Sequence, residues 1–418
     1  MNDKIQSRGP LAISNAVQAS LIPALAGIAF IALILLVLGS PNRYIYDEPY
    51  YLEGAFLLAK GMRFTDFLLA PLNTPAGPLF PTVQWCLSPL THFQAQLIRL
   101  PNIVFLGMAI TANAYSLSCW GYKDAWSRAT MLLALSIMWV SAGMALTEMP
   151  AFAFASFAVA AAAWGMSDPQ ALRRRIWAGF AISGLCFGIA ILGRQPYLPA
   201  AGGLVMVAVF EPRFRWPAAF GAALAILVPL PVFLVWGGLV APHVARVGGL
   251  SLTHGALAYA YLSALMVILA PTFFLTRWRW TLGIGLVVGL AAMPLGGMGA
   301  TVAPGVAGHL PPALQPLFQL GISVAMIGGG AAVIVASGIN IWSRRDDRIF
   351  VLMVLLMLGM TFTAAGIIHL FSSRYLMAAF PFALFAAQPF FTPSRWAIAR
   401  FAAGAVFGYL TLAHYFAL

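Results

Sequence analysis

The run "LIPALAGIAFIALILLVL", Leu21–Leu38, decides the class of this chain. It carries no charge and has the length a membrane-crossing helix needs, about 20 apolar residues. Directly behind it stands "GSPNRYIYDEPYYLEGAFLLAKGMRF", Gly39–Phe64, with Asp47 and Glu48 side by side. Charged residues make up only 8% of the 418, so an acidic pair at the exit of the first apolar run calls for a reason. The composition agrees with the run: 61% of residues are hydrophobic and mean hydropathy is +0.89. Soluble domains hold roughly 45–50% apolar residues and about a quarter charged ones. The chain therefore reads as all-α, a polytopic integral membrane protein, with no polar stretch of soluble-domain size. Residues 1–20 are polar and mildly basic and lead into the run without an A-x-A-like cleavage pattern. They read as a cytoplasmic tail rather than a cleaved signal.

The net charge of +12 suggests nucleic acid only until its distribution is read. Basic residues come in small groups between apolar runs: Lys4/Arg8, Lys123/Arg128, Arg173–Arg175, Arg213/Arg215, Arg277/Arg279, Arg344/Arg345/Arg348 and Arg395/Arg400. That is the positive-inside pattern of cytoplasmic turns, and it argues against a nucleic-acid partner. With those groups inside, the first helix is expected at 20–40, then others at 101–119, 128–146, 150–166, 177–193, 197–210 and 217–238. Further helices follow at 255–275, 280–298, 316–342, 349–369, 376–391 and 397–417. The count is about 13 transmembrane helices, with a cytoplasmic N-terminus and a periplasmic C-terminus in the inner (plasma) membrane of a bacterium. The segment "LFPTVQWCLSPLTHFQA", 79–95, is short and carries two prolines and a histidine. It reads as an interfacial or re-entrant helix on the outer face. Three cysteines, Cys86, Cys119 and Cys186, form no disulfide framework and no metal-ligand spacing.

On this threading Asp3, Asp124, Asp168, Glu211, Asp346 and Asp347 lie inside beside basic residues, as ordinary surface pairs. The outer face keeps Asp47, Glu48, Glu53, Asp66 and Glu148. Glu148, directly before the helix that begins at Pro150, also suits a helix-dipole partner. Arg194 and Arg374 are single arginines at outer helix ends, against the charge bias. Each fits either snorkelling to lipid headgroups or a bidentate grip on a phosphate. Together, acids able to take a hydroxyl proton and arginines able to hold a phosphate suit a transfer in which a lipid-linked phosphate leaves and an alcohol attacks.

At these residues the chain resembles the GT-C class of polyprenyl-phosphate-sugar-dependent glycosyltransferases, which includes protein O-mannosyltransferases and lipid A aminoarabinose transferases. Four stretches carry the resemblance: "YDEPYYLEGAFLLAKG" (46–61), "IRLPNIVFLGMAITANAYSLS" (98–118), "ALTEMPAFAF" (145–154) and "HLFSSRYLMAAFP" (369–381). They cover roughly residues 40–200 and 365–385. The resemblance implies a GT-C-like catalytic core over 20–210 with an outer loop at 41–98, and helices in 211–418 that complete the donor-lipid site. It implies a polyprenyl-phosphate-sugar donor, a lipid, glycan or protein acceptor, and inversion at the anomeric carbon. Carried over by position, Asp47 is the base, Glu48 assists it, and Glu148 orients the acceptor or a metal ion. Arg374 holds the donor phosphate, and Arg99 supports the first-loop site and counts among the donor-phosphate-binding residues. Arg194 matches no motif and joins the phosphate group on charge alone. Tyr46, Tyr50, Tyr51, His369 and Tyr375 are the expected neighbours of the site. A divalent metal (Mg or Mn) is compatible with Asp47 and Glu148. Two departures stand out. The lysine that many relatives carry in the first loop is missing from "APLNTPAGPLFP" (70–81), and there is no soluble outer domain, so the chain reads as a minimal, membrane-only member.

His92, His254, His309 and His369 fall near the outer face without a ligand spacing. The loop "MPLGGMGATVAPGVAGHLPP", 293–312, has turn chemistry and suits either a plain connector or a lid. A transporter or flippase of a lipid-linked sugar is the alternative reading, as is an inactive assembly subunit. Transporters place ionisable residues near the bilayer midplane, whereas here they gather at the boundaries.

Overall fold

The computed structural model of the chain describes residues 10–72, 74, 76–168, 172–247, 249–292, 308, 310–368 and 371–417. The fold is all-helical. A long first helix α1 (Pro10–Leu38) leads into three shorter ones, α2 (Glu48–Ala59), α3 (Phe64–Leu69) and α4 (Leu79–Thr91). Next come α5 (Ala95–Cys119), α6 (Ala125–Thr130), α7 (Ser136–Gly143), α8 (Glu148–Met166) and α9 (Arg173–Gly193). Then follow α10 (Leu198–Phe210), α11 (Arg215–Leu227), α12 (Leu230–Trp236), α13 (Leu252–Leu269) and α14 (Trp278–Ala291). The last four are α15 (Gln315–Ser343), α16 (Arg348–Phe362), α17 (Phe380–Ala387) and α18 (Arg395–Ala417).

Among the described residues, nine helical segments are long and apolar enough to cross a membrane. They account for nine of the thirteen expected spans. The expected span at 128–146 is instead a pair of helices, Ala125–Ala134 and Ser136–Gly143, bent by 77°. Gln195–Phe210 and Trp278–Ala291 are shorter apolar helices, and the expected span at 376–391 contains only the eight-residue α17 between 3₁₀ turns. The described residues therefore do not confirm a count of thirteen full spans. The 293–307 part of the expected loop, with His309 and His369, lies outside the described residues.

The bend at Leu135 packs closely against α18. Gly404 and Gly408 of α18 sit against it so closely that a Cβ at Gly404 would fall 2.1 Å from the Ala134 carbonyl, and one at Gly408 would fall 2.2 Å from the Trp139 ring. Carbonyls left open by a broken helix must find donors inside the protein, because hydrocarbon offers none. The Trp139 indole N–H donates to Leu133 O at 2.8 Å, and Asn102 Nδ2 of α5 donates to Ser141, Met144 and Leu146 carbonyls at 3.2, 2.7 and 2.8 Å. Elsewhere small residues set the helix spacing. At the α8–α9 crossing Gly165 and Gly179 meet backbone to backbone, as membrane helix pairs favour.

Among the described residues the basic groups share one end of the molecule, where four of them bond to carbonyls at helix C-termini. Arg128 donates to Gln388 O at 2.7 Å, Arg348 to Phe210 O at 2.6 Å, Arg175 to Trp164 O at 3.0 Å and Arg400 to Ile268 O at 3.0 Å. Cations at carbonyl-rich helix ends satisfy open acceptors and favour the helix dipole. At the opposite end α2 packs on α4. At thirteen residues α4 is about 20 Å long, short of the roughly 30 Å hydrocarbon core.

Candidate functional site

Two clusters of charge occupy the end away from the basic caps. The first is closed. Arg99 and Glu48 are both fully buried and pair in a fork, Nε to Oε1 and Nη2 to Oε2, each at 2.7 Å. The other three guanidinium hydrogens go to Ser40 Oγ (2.7 Å), Pro41 O (3.2 Å) and Arg43 O (2.8 Å). Glu48 also accepts the backbone N–H groups of Ile45 at 2.9 Å and Ala145 at 2.8 Å. All five donors of Arg99 are thus in use. These two residues, expected in catalytic and phosphate-binding roles, here bind each other. Together they fix the loop 40–48 to α5 and to the segment before α8.

The second cluster is open. Asp47 stands at the N-terminus of α2, yet its carboxylate does not cap that helix. It accepts a hydrogen bond from Arg374 Nη2 at 2.6 Å, across 327 residues of chain. Arg374 Nε donates to Ser372 Oγ at 3.0 Å. Arg374 Nη1 is buried without a partner. Glu148, in the first turn of α8, lies 3.3 Å from Arg194 Nη2, and Arg194 Nη1 donates to Thr147 Oγ1 at 3.1 Å. Arg194 closes the C-terminus of α9. That end is positioned by Gly77, whose N–H donates to Gly193 O at 3.2 Å and whose Cα lies too close to Leu192 O for any side chain. Tyr51 sits within the field of both pairs. Burial and then Glu148 push its hydroxyl up to about 12, with Arg374 and Arg194 pulling the other way, so it is a neutral hydroxyl at physiological pH.

The aromatic neighbours divide. Tyr46 holds a left-handed backbone (φ 55°) and lays its ring 6.0 Å from the Arg374 guanidinium and edge-on to Tyr415 at 5.4 Å. Left-handed backbone is uncommon outside glycine and marks a held conformation. Tyr375 sits 6.0 Å from Arg194. Tyr50 is 52% exposed. His254 Nδ1 lies 2.6 Å from Ile367 O, close behind Phe371. His92 ends α4 in a left-handed turn, away from the site.

Two cavities meet at Arg374. One is small, about 10 Å³, bounded by Glu148, Arg194, Tyr197 and Tyr375. The other is about 170 Å³, bounded by α7, α18 and the 372–374 turn. Ser372, Thr147, Tyr415 and Ser136 were not expected at the site. Thr147 directly precedes Glu148 and Ser372 stands two residues before Arg374, so both had a signal in sequence, whereas Tyr415 and Ser136 reach the site only through tertiary packing. Among the described residues no three His, Cys, Asp or Glu side chains gather as metal ligands. A divalent ion would find two carboxylates, Asp47 and Glu148, each already facing an arginine.

The fold and the charge pattern define a multi-pass helical membrane protein with a paired acid–arginine cluster at one membrane boundary. No family model matches the chain, and no curated protein matches it. Among solved structures it is similar to ArnT from Cupriavidus metallidurans in the apo state, at 16% identity and TM-score 0.42, over 88% of this chain and 77% of that one. It is likewise similar to the same protein bound to undecaprenyl phosphate, at 14% identity and TM-score 0.43, over 88% and 78%.

Proposed function

We propose that this chain is a membrane glycosyltransferase that moves a sugar from a polyprenyl-phosphate donor to a hydroxyl of a lipid, glycan or protein. The reaction takes place at the acidic end, the periplasmic face of the inner membrane, with the basic caps and the N-terminus in the cytoplasm and the C-terminus outside. The observation that carries this reading is Arg374: it holds Asp47 with one nitrogen and keeps another buried and unpartnered between two cavities. A buried guanidinium with an unmet donor favours an anion, and a phosphate matches its fork.

The donor phosphodiester is a monoanion. As it settles on Arg374 it competes with Asp47 for the guanidinium, which leaves the carboxylate free to act. The acceptor oxygen bonds to the anomeric carbon while its proton passes to Asp47. The bond from the anomeric carbon to the phosphate oxygen breaks, and its electron pair stays on the phosphate, which becomes a polyprenyl phosphate dianion. Arg374 and Arg194, both largely buried, face that growing charge. Glu148 and Thr147 keep Arg194 in place, and Glu48 and Arg99 keep the Asp47 loop in place. Attack opposite the leaving phosphate inverts the anomeric centre.

The test is mass spectrometry of envelope lipids and glycans from a null strain carrying wild type or Arg374→Ala. A single sugar-sized mass increment should appear with wild type and fall by roughly 100- to 1,000-fold with the variant, the usual effect of removing one donor to a developing oxyanion. Arg374→Lys keeps the charge without the fork and should fall between them. Equal product in both strains would displace the transferase reading in favour of transport of a lipid-linked sugar.

A further inference from the structure

We infer that the larger cavity takes the glycosyl group of the donor and that this group is uncharged, a neutral pentose or hexose rather than a cationic amino sugar. The inference rests on the glycosyltransferase reading above. Size comes first. A cavity of ~150 Å³ admits one benzene ring, and this one measures about 170 Å³, room for a single pyranose or furanose ring and not for a long prenyl tail.

Lining chemistry comes second. Tyr46, Tyr261 and Tyr415 contribute aromatic faces, onto which the C–H face of a sugar packs. Ser136, Ser372, Ser373 and Thr411 add hydroxyls, some already engaged: Ser372 Oγ accepts from Arg374, and Thr411 donates to Phe407 O at 2.7 Å. These hydroxyls stand beside Ile137, Val140, Met144, Leu146 and Phe407, so the wall offers both polar atoms and apolar faces, as a sugar ring does.

Charge comes third and decides the class. Arg374 is the single charged residue in this lining among the described residues. Among the described residues no carboxylate lines the cavity. The nearest one described, Asp47, is turned to Arg374 at 2.6 Å and is the base of the proposed reaction. Glu148 borders the small pocket beyond Arg374, whose 10 Å³ or so cannot take a ring. A protonated amine on the side of the ring away from Asp47 would therefore face Arg374 and, among the described lining residues, no anion. A uronic acid would compete with the donor's own phosphate for the same arginine.

Binding of donors by the purified full chain in lipid nanodiscs tests this, read by native mass spectrometry. Four phosphodiesters on one polyprenol are compared, all with the same phosphate: methyl, arabinosyl or glucosyl, 4-amino-arabinosyl, and galacturonosyl. The neutral glycosyl diester should bind about tenfold tighter than the methyl diester, and the amino and uronic sugars should gain nothing over methyl. Thr411→Trp, which narrows the cavity, should remove the gain, with thermal melting used to check that the variant is folded. An amino-sugar diester that binds as tightly as the neutral one overturns the inference, as does a neutral sugar no better than methyl, or a folded Thr411→Trp that keeps the gain. If none of the diesters binds in a manner that Arg374→Ala weakens, the glycosyltransferase reading itself falls.

Discussion

Arg99→Met should cost the folded protein about 3–5 kcal/mol, the range seen when one partner of a buried ion pair is removed. It would appear as a lowered melting temperature and a lower yield in detergent. The reason is the density of bonding at this one side chain. Arg99 is fully buried, and each of its five hydrogens has an acceptor: Glu48 twice, then Ser40, Pro41 and Arg43. Without the guanidinium, the Glu48 carboxylate stays buried with only the Ile45 and Ala145 N–H groups for partners. Lysine offers a point charge and three hydrogens on a single nitrogen, so Arg99→Lys should rescue little. The double change Glu48→Met with Arg99→Met removes both charges and should recover part of the loss, short of wild type because two backbone N–H groups then lack an acceptor. The comparison is Arg63, whose pair with Asp66 is 83% and 47% exposed. Arg63→Met should move stability by less than about 1 kcal/mol. An Arg99→Met variant that melts within the range of Arg63→Met would show that the buried fork is not holding the loop.

These two arginines show where reading the sequence stops. Arg63 has Asp66 three residues on, whereas the letters, although the stretch 98–118 marks Arg99 for the site, do not show that it is fully buried against Glu48, 51 residues away. Burial depends on what α5, α2 and the 143–148 segment do together. The long spans were legible because a bilayer imposes about 20 apolar residues on any crossing helix. The bend at Leu135 was not, because hydropathy does not register a break inside an apolar run, and the glycines packed against it, Gly404 and Gly408, lie some 270 residues downstream. The short α17 was missed for a related reason. Its apolar composition suits a span, and its shortness follows from the turns on either side, which hydropathy does not register. The open cluster was half legible. Asp47, Glu148, Arg194 and Arg374 announce themselves as charges at helix ends, with a common side implied by the positions of the basic turns. That Asp47 pairs with Arg374, and Glu148 with Arg194, is a matter of three-dimensional packing. So is the cavity, whose walls come from α7, α18 and the turn before α17.

Asp47→Asn should lower the rate of transfer by roughly 100- to 10,000-fold, the contribution typical of a positioned general base, while leaving the fold intact. Asparagine has the shape of aspartate, and its amide oxygen can still accept the hydrogen bond from Arg374 Nη2 that now measures 2.6 Å. What it cannot do at neutral pH is accept the acceptor's proton. A second, opposite effect should accompany the first. In the free protein Asp47 and the donor phosphate compete for one guanidinium, so a neutral side chain at position 47 competes less well. Polyprenyl phosphate should therefore bind Asp47→Asn more tightly than wild type, and the gain should shrink as salt screens the charges. The two readouts together separate the roles open to Asp47. A base that masks Arg374 predicts slower transfer and tighter lipid binding. A residue that only props up the site predicts that both are lost, because disorder at Arg374 weakens the phosphate grip as well as the chemistry. Transfer at the wild-type rate would remove Asp47 as the base and leave Glu148, the other carboxylate of the cluster, to be tested by the same pair of measurements.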